Sequence, residues 1–337
     1  MSSAPAALDY RAMSDWLRRF RRPLILTHQR SDGDAVGSVC AAALAMKKFD
    51  LDPRVVLFEP IGARYRFLQP LIEWHEWSAG SEAQTADTDC VVIVDTCASA
   101  QLEPALAFLR SPPPTLVIDH HVTRDPIGDR AGDLRIIDET AGAAALLIAE
   151  WIASAGIRAD ARMATAILTG LATDTGWFRF SNTNARLLRA AADMLAAGAD
   201  ANKLFNAIYE QENIERVRLT ARLLSSLRLE MDGALAVMEL RESDFAASGA
   251  NASMTEDLVN EANRIATVRA TALFIEQPGS RIRVNLRSKN AIDVAKIARE
   301  FGGGGHANAA GARVEGEWSD VVRRVIGEMS NALYSGQ

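Results

Sequence analysis

Carboxylates and imidazoles gather in this chain at the ends of apolar runs. His28, Asp32 and Asp34 are spaced His-x-x-x-Asp-x-Asp inside LILTHQRSDGDAVGS. Asp95 ends the run CVVIVDT, and Asp119, His120 and His121 end TLVIDHH. Asp174 falls in TGLATDTGWFRF, where a helical pattern breaks. Each place has a plain structural explanation: an N-cap at Asp34, a turn at Asp32-Gly33, a cap at Asp174. Alone, the first stretch leans towards that explanation. His28 weighs against it, because a strand-end imidazole beside two Asp is a typical metal environment. Capping does not explain why three strand tips carry Asp or His together.

If these residues converge, His28, Asp32, Asp34, Asp95, His120 and Asp174 are the candidate metal ligands. Four clustered carboxylates carry about −4, which is very unfavourable in a partly desolvated cleft, and two divalent cations cancel it. Oxygen-rich ligands with a minority of imidazole suit Mn²⁺ best, with Mg²⁺, Co²⁺ or Zn²⁺ as options. Two ions roughly 3.5–4 Å apart activate water and clamp both oxygens of a phosphoryl displacement. Asp119 then serves to orient an imidazole, and His121 is free to face a substrate phosphate. Asp95, Asp119 and His121 are the candidate catalytic residues.

The elements that must position these groups are legible in order. Leu24–Leu26 after Pro23, Arg54–Glu59, Cys90–Thr96 and Thr115–His121 read as strands, the last two continuous apolar runs of the parallel, doubly covered kind. Leu134–Asp138 reads as a further short strand. Helical patterns cover 10–20, 36–49, 101–110, 143–155, 161–171 and 182–199. Strands alternating with helices imply a parallel sheet with helices on both faces, and its strand tips share one edge. The expected fold is α/β: such a domain over 1–200, one helical connector over 201–230 and a smaller α+β domain over 231–337. In the last, Ala234–Leu240 reads as a strand and 255–265 as a helix. Arg269–Glu276 and Arg281–Arg287 read as a hairpin turning at Pro278-Gly279, followed by helices over 292–301 and 321–333.

Composition bounds the function. The chain has 337 residues, 48% hydrophobic and 24% charged, with net charge −6. That size suits two domains with a real core, and the acidity argues against a long-DNA footprint. Cys40, Cys90 and Cys97 lack CxxC spacing and read as thiols of a reducing compartment. No signal peptide or membrane span is evident, so the expected location is cytoplasmic with no membrane partner.

The run FGGGGHANAAG over 301–311 reads either as a flexible turn or as a backbone nest opening a helix, with NH groups of Gly303, Gly304, Gly305 and His306 receiving an anion. Arg287 is a candidate phosphate clamp, with a solvated strand-end arginine as an equal alternative.

Together, His28-x-x-x-Asp32-x-Asp34, Asp95, Asp119-His120-His121, Asp174 and RSK…FGGGGHxNAAG resemble the DHH phosphoesterase superfamily with its DHH-associated nucleic-acid-recognition domain. The resemblance spans nearly the whole chain. It implies one metal held by His28, Asp32 and Asp95, and a second by Asp34, Asp95, His120 and Asp174, with Asp95 bridging. It further implies that His121 contacts the scissile phosphate and that Arg287 and the segment 303–306 hold a nucleotide, in a cleft between the domains. Size and domain pairing look like the nanoRNase and pAp-phosphatase branch, which acts on very short RNA, linear dinucleotides and pAp. Cyclic di-AMP hydrolysis is an alternative substrate reading. A family II-type pyrophosphatase lacks the glycine-His signature, a RecJ-type exonuclease is larger, and a nucleotide-sensing module would have lost a ligand. Two departures stand out: Ser31 where many members have Pro, and Gly142–Ala145 where a Ser-Thr pair is usual. Substrate ranking, cleavage polarity and oligomeric state, homodimer included, stay open.

Overall fold

The structure is a computed structural model that describes residues 8–78, 85–122, 124–255, 257–289 and 291–335. The chain divides into two compact units, Met1–Gln211 and Glu212–Gln337.

The first unit is built on β1 (Pro23–Leu26), β2 (Arg54–Leu57), β3 (Trp74–Glu76), β4 (Cys90–Val94), β5 (Thr115–Asp119) and β6 (Leu134–Ile137). They form a six-stranded sheet in the order β3-β2-β1-β4-β5-β6. Every pairing is parallel. β1, β4 and β5 are buried along their whole length, as their uninterrupted apolar runs require.

Alternate residues feed two cores. Ile25, Val55, Val92, Val94, Leu116 and Ile118 face the larger one, with α1 (Tyr10–Leu17), α2 (Gly33–Lys47), α4 (Ala144–Ser154) and α5 (Ala161–Asp174). Leu24, Leu26, Val56, Val91, Ile93 and Val117 face the other, covered by the 3₁₀ segment Ser99–Ala105 and by α3 (Leu106–Leu109). The helix expected over 101–110 is thus mostly 3₁₀, because Pro104 lies inside it and Leu102 leaves helical geometry. β3 was not legible: Trp74–Glu76 is three residues long and only half-buried.

Connections reverse direction at β1, so β1 and β4 are neighbours whose following elements run to opposite sides. In open parallel sheets that is where a crevice forms at the carboxyl ends of the strands. α6 (Ala185–Ala196) and α7 (Ala201–Tyr209) complete the unit.

Where the sequence predicts one connector helix over 201–230, two helices stand, one per unit. α7 ends at Glu210, and α8 (Ile214–Ser225) starts afresh on Asn213, whose side chain accepts the Arg216 amide hydrogen bond. Asn213 is a strong N-cap, which stops the two helices from running together.

In the second unit, β7 (Arg228–Glu230), β8 (Leu235–Leu240), β9 (Ala270–Gln277), β10 (Arg281–Ser288), β11 (Gly304–His306) and β12 (Ala309–Glu315) form a sheet ordered β11-β12-β10-β9-β8-β7. Only β8 and β9 pair in parallel. After α9 (Glu242–Ser248), α10 (Val294–Glu300) and α11 (Trp318–Ser335) cover one face. α8 and the 3₁₀ segment Leu258–Arg264 lie with the other. The helix expected over 255–265 is replaced by this 3₁₀ turn, entered through Asp257 at φ +62°. The hairpin at Pro278-Gly279 forms as expected, with Gly279 at φ +78°.

The glycine run opens no helix. Gly304–His306 is a strand paired antiparallel with β12. A Cβ at Gly303 would stand 2.1 Å from the Gly311 carbonyl oxygen, so glycine is what permits the two backbones to approach.

Candidate metal centre

The carboxyl ends of β1, β4 and β5 bring the sequence-predicted acids and imidazoles of the first unit together. His28 follows β1, Asp95 follows β4, and Asp119, His120 and His121 stand at the end of β5. Asp32 and Asp34 open α2, and Asp174 closes α5.

Asp95 is at the centre. Its Oδ2 lies 3.5 Å from His28 Nε2 and its Oδ1 lies 3.3 Å from His120 Nε2. Asp32 Oδ1 is 4.0 Å from His28 Nε2. On the other side, Asp34 Oδ2 and Asp174 Oδ2 are 3.8 and 3.9 Å from His120 Nε2. Among the described residues three groups of three potential ligands result: His28, Asp32 and Asp95; Asp34, His120 and Asp174; and Asp95, His120 and His121, which overlaps both.

The ring tautomers suit a cation. His28 Nδ1 faces the Gln29 carbonyl at 2.8 Å and His120 Nδ1 faces the Ala141 carbonyl at 3.1 Å. Each Nδ1 therefore carries the hydrogen, and each Nε2 lone pair is turned towards carboxylates. Asp95 Oδ1 and His120 Nε2 are buried and neither has a hydrogen-bond partner. Two buried acceptors facing each other repel unless a proton or a metal ion stands between them. Oxygen and imidazole donors in this number fit a divalent cation.

The electrostatics agree. Burial pushes the His28 and His120 rings down, but the adjacent Asp95, with Asp34 and Asp174 near His120, outweighs it, raising them to about 9 and about 10. Burial would raise Asp95, yet the two imidazoles hold it at about 2. Asp34 is raised by its burial and then by the charges of Asp95 and Asp174. Asp174 is raised to about 6, chiefly by burial. Raised imidazole basicity and raised buried carboxyls both show that positive charge placed among these groups is stabilised.

Local structure holds each ligand. Asp32 is the N-cap of α2 and accepts the amides of Asp34 and Ala35 at 3.0 and 3.1 Å, so the cap assigned to Asp34 belongs to Asp32. Asp34 lies inside the first turn, buried, and accepts Ser38 Oγ at 3.0 Å and the amides of Ala144 and Ala145 at 2.6 and 2.9 Å. The free NH groups at the start of α4 thus orient this acid. The departure at Gly142–Ala145 leaves this contact intact, because backbone amides make it.

Two residues escaped the sequence reading. Ser38 was detectable, since i and i+4 share a helix face. Asn182, whose Nδ2 donates to Asp174 Oδ2 at 3.2 Å and to the Gly142 carbonyl at 3.0 Å, had no signal in its spacing.

Asp119 orients His121. Its buried Oδ1 accepts His121 Nδ1 at 2.8 Å, together with the amides of His120 and His121. The hydrogen bond to Asp119 raises the His121 ring above its ordinary value, and the side chain is 48% exposed.

Arg287 and the glycine segment belong to the second unit. Arg287 pairs with Ala309, and His306 pairs with the same Ala309, so the three backbones form one row across β10, β12 and β11. Arg287 is half-buried at the end of β10.

Comparison with known proteins agrees with this architecture. The model of the DHH family N-terminal domain matches residues 22–173, and that of the DHHA1 domain matches 232–333. A bifunctional oligoribonuclease and PAP phosphatase NrnA of Thermus thermophilus is 29% identical over 334 residues, 96% of this chain and 95% of the relative. The Bacillus subtilis protein of the same name is 27% identical, covering 88% of this chain and 90% of its own. The crystal structure of an exopolyphosphatase-related protein from Bacteroides fragilis superposes with a TM-score of 0.87 at 21% identity, covering 99% and 98% of the two chains, and so shares the fold. The chain belongs to the DHH phosphoesterase family, as a hydrolase of phosphoester bonds with a DHH N-terminal domain and a DHHA1 domain.

Proposed function

We propose that this enzyme hydrolyses short oligoribonucleotides and linear dinucleotides to mononucleotides, and pAp to AMP and phosphate, with two divalent ions, Mn²⁺ foremost. The observation that carries the reading is the pair of three-ligand groups joined through Asp95. Relatives named for both activities match almost end to end, which supports the substrate class.

His28, Asp32 and Asp95 would hold one ion, and Asp34, His120, Asp174 and Asp95 the other. Bound there, two ions supply Lewis acidity and a nucleophile at neutral pH. Asp119 fixes the His121 ring through Nδ1, which leaves Nε2 for the substrate. His121 would donate to a phosphate oxygen through Nε2, its proton affinity raised by the hydrogen bond to Asp119. Arg287 and the 303–306 backbone hold a nucleotide phosphate, the fork of Arg287 matching two oxygens.

The test is Mn²⁺-loaded protein against pAp, di- to pentaribonucleotides, cyclic di-AMP, pyrophosphate and long single-stranded DNA. Turnover of pAp and short RNA well above the others is expected. Turnover confined to pyrophosphate or to long DNA would overturn the proposal.

A further inference from the structure

The segment after Asp174 carries an aromatic ring that the metal centre does not use. Gly176, Trp177 and Phe178 are consecutive left-handed residues, at φ +55°, +59° and +63°. Left-handed backbone is unfavourable for bulky aromatic residues, so a run of it marks a segment held in place by its surroundings. Thr175 does the holding. Its Oγ1 accepts the Phe178 amide at 3.1 Å, and its carbonyl accepts the amides of Arg179 and Phe180 at 2.9 and 3.0 Å. Asn182 ties the far end of the segment back to the Asp174 carboxylate at 3.2 Å.

This turn separates two aromatics. Trp177 goes inward, edge-on to Phe205 and Tyr209 with ring centroids at 5.1 and 5.7 Å. Phe180 stays outside, 54% exposed. Its ring rests on Gly176, where a Cβ would stand 2.3 Å from the ring carbon Cζ. Arg179 lies over it at longer range, its guanidinium 5.9 Å from the ring centroid and its Nε donating to the Gly176 carbonyl at 2.8 Å. An exposed ring seated on Gly176, two residues after Asp174, with a cation near it, has the features of a stacking surface for a flat π-system.

Resting on the reading of this enzyme as a nucleotide phosphoesterase, we infer that Phe180 is a nucleobase platform. The base of the nucleotide whose phosphate occupies the metal centre stacks on the ring, with Arg179 at its edge. Stacking is tolerant of base identity, because every base has a π-face, so the platform selects nucleotides over other phosphoesters without selecting one base.

The experiment compares wild type, Phe180→Leu and Phe180→Trp on pAp and on its base-less analogue, 1-O-methylribose 3,5-bisphosphate, with Mn²⁺ in excess. Calorimetric binding of AMP and of ribose 5-phosphate provides a readout independent of turnover. Phe180→Leu should lower kcat/KM for pAp and the affinity for AMP by about 5- to 150-fold, and change the base-less pair less than about twofold. Phe180→Trp, a larger π-face, should keep both pAp and AMP near wild type. Equal losses on the two substrates would assign Phe180 to holding the segment, and undiminished pAp turnover in Phe180→Leu would remove the platform; either overturns the inference. Wild type that leaves pAp and dinucleotides uncleaved would instead overturn the proposed function, whatever the variants do.

Discussion

Asp95 stands at φ +65°, a left-handed position that Asp and Asn tolerate and most residues avoid. The residue must leave the strand direction so that its two oxygens reach His28 and His120 at once. Asp95→Asn keeps a side chain suited to that backbone and removes the charge. It should therefore fold normally while binding less than one Mn²⁺ per chain, and kcat/KM should fall at least about 100-fold. Elemental analysis with circular dichroism checks this; Asp95→Asn holding two ions would exclude the bridging role. His121→Ala should separate from it, keeping wild-type metal content and losing about 10²- to 10⁴-fold in kcat, the range of a general acid. At this scale the sequence was informative, because a strand-end His or Asp has few structural reasons to be there. The amides of Ala144 and Ala145 that fix Asp34 were invisible, since backbone donors leave no trace in residue type.

Helices α2 and α5 meet face to face, and small residues set how closely. A Cβ on Gly37 would lie 2.4 Å from the Ala166 carbonyl oxygen, and one on Gly170 would lie 2.5 Å from Asp34 Oδ1. Gly170→Ala should push Asp34 out of place, weakening Mn²⁺ affinity about tenfold or more while costing about 1–3 kcal/mol in stability. Titration calorimetry at constant Mn²⁺ stoichiometry decides it, and an unchanged Kd would show that Asp34 does not depend on this contact. α1, α4 and α6 are joined differently, by Tyr10, Glu150, Arg186 and Asp138. Tyr10 donates to Glu150 at 2.6 Å, and Arg186 reaches both Glu150 and Asp138. Burial would raise Asp138, but the Thr140 hydroxyl and Arg186 outweigh it and hold the carboxyl below its ordinary value. A lowered folded pKa contributes stability above the unfolded value near 3.9 and loses it as pH falls through the folded one. Asp138→Asn should therefore cost about 1–2 kcal/mol at pH 7, a gap that closes below about pH 4 in urea melts. A gap constant from pH 7 to pH 3 would show that Asp138 acts through shape alone. Strands β1, β2, β4 to β6 and β8 to β10 were legible in their apolar runs and β3, β7 and β12 were not; neither were the break at Glu210–Asn213 and the strand at Gly304–His306. Both depend on what the chain folds against: a cap chosen over a continuous helix, and a glycine-lined approach of two backbones.

The whole chain is acidic, and no helix among the described residues is long and apolar enough to cross a membrane. That acidity argues against an extended run of phosphate contacts along a long nucleic acid. Arg287→Ala should leave Mn²⁺ content unchanged and lower kcat/KM for dinucleotides by about 10- to 150-fold, the worth of one charge-assisted contact. Bis-p-nitrophenyl phosphate, which carries no nucleotide for the second unit to hold, should be hydrolysed almost as before. Equal losses on both substrates would make Arg287 a residue of the fold.

The central claim is a centre of two ions sharing Asp95. Its most direct measurement is a titration of EDTA-stripped protein with Mn²⁺, following bound metal and pAp hydrolysis in the same samples. Two ions should bind per chain, with activity absent at zero metal and complete only when both are bound. Saturation at one ion with full activity, or full activity after exhaustive chelation, would contradict it.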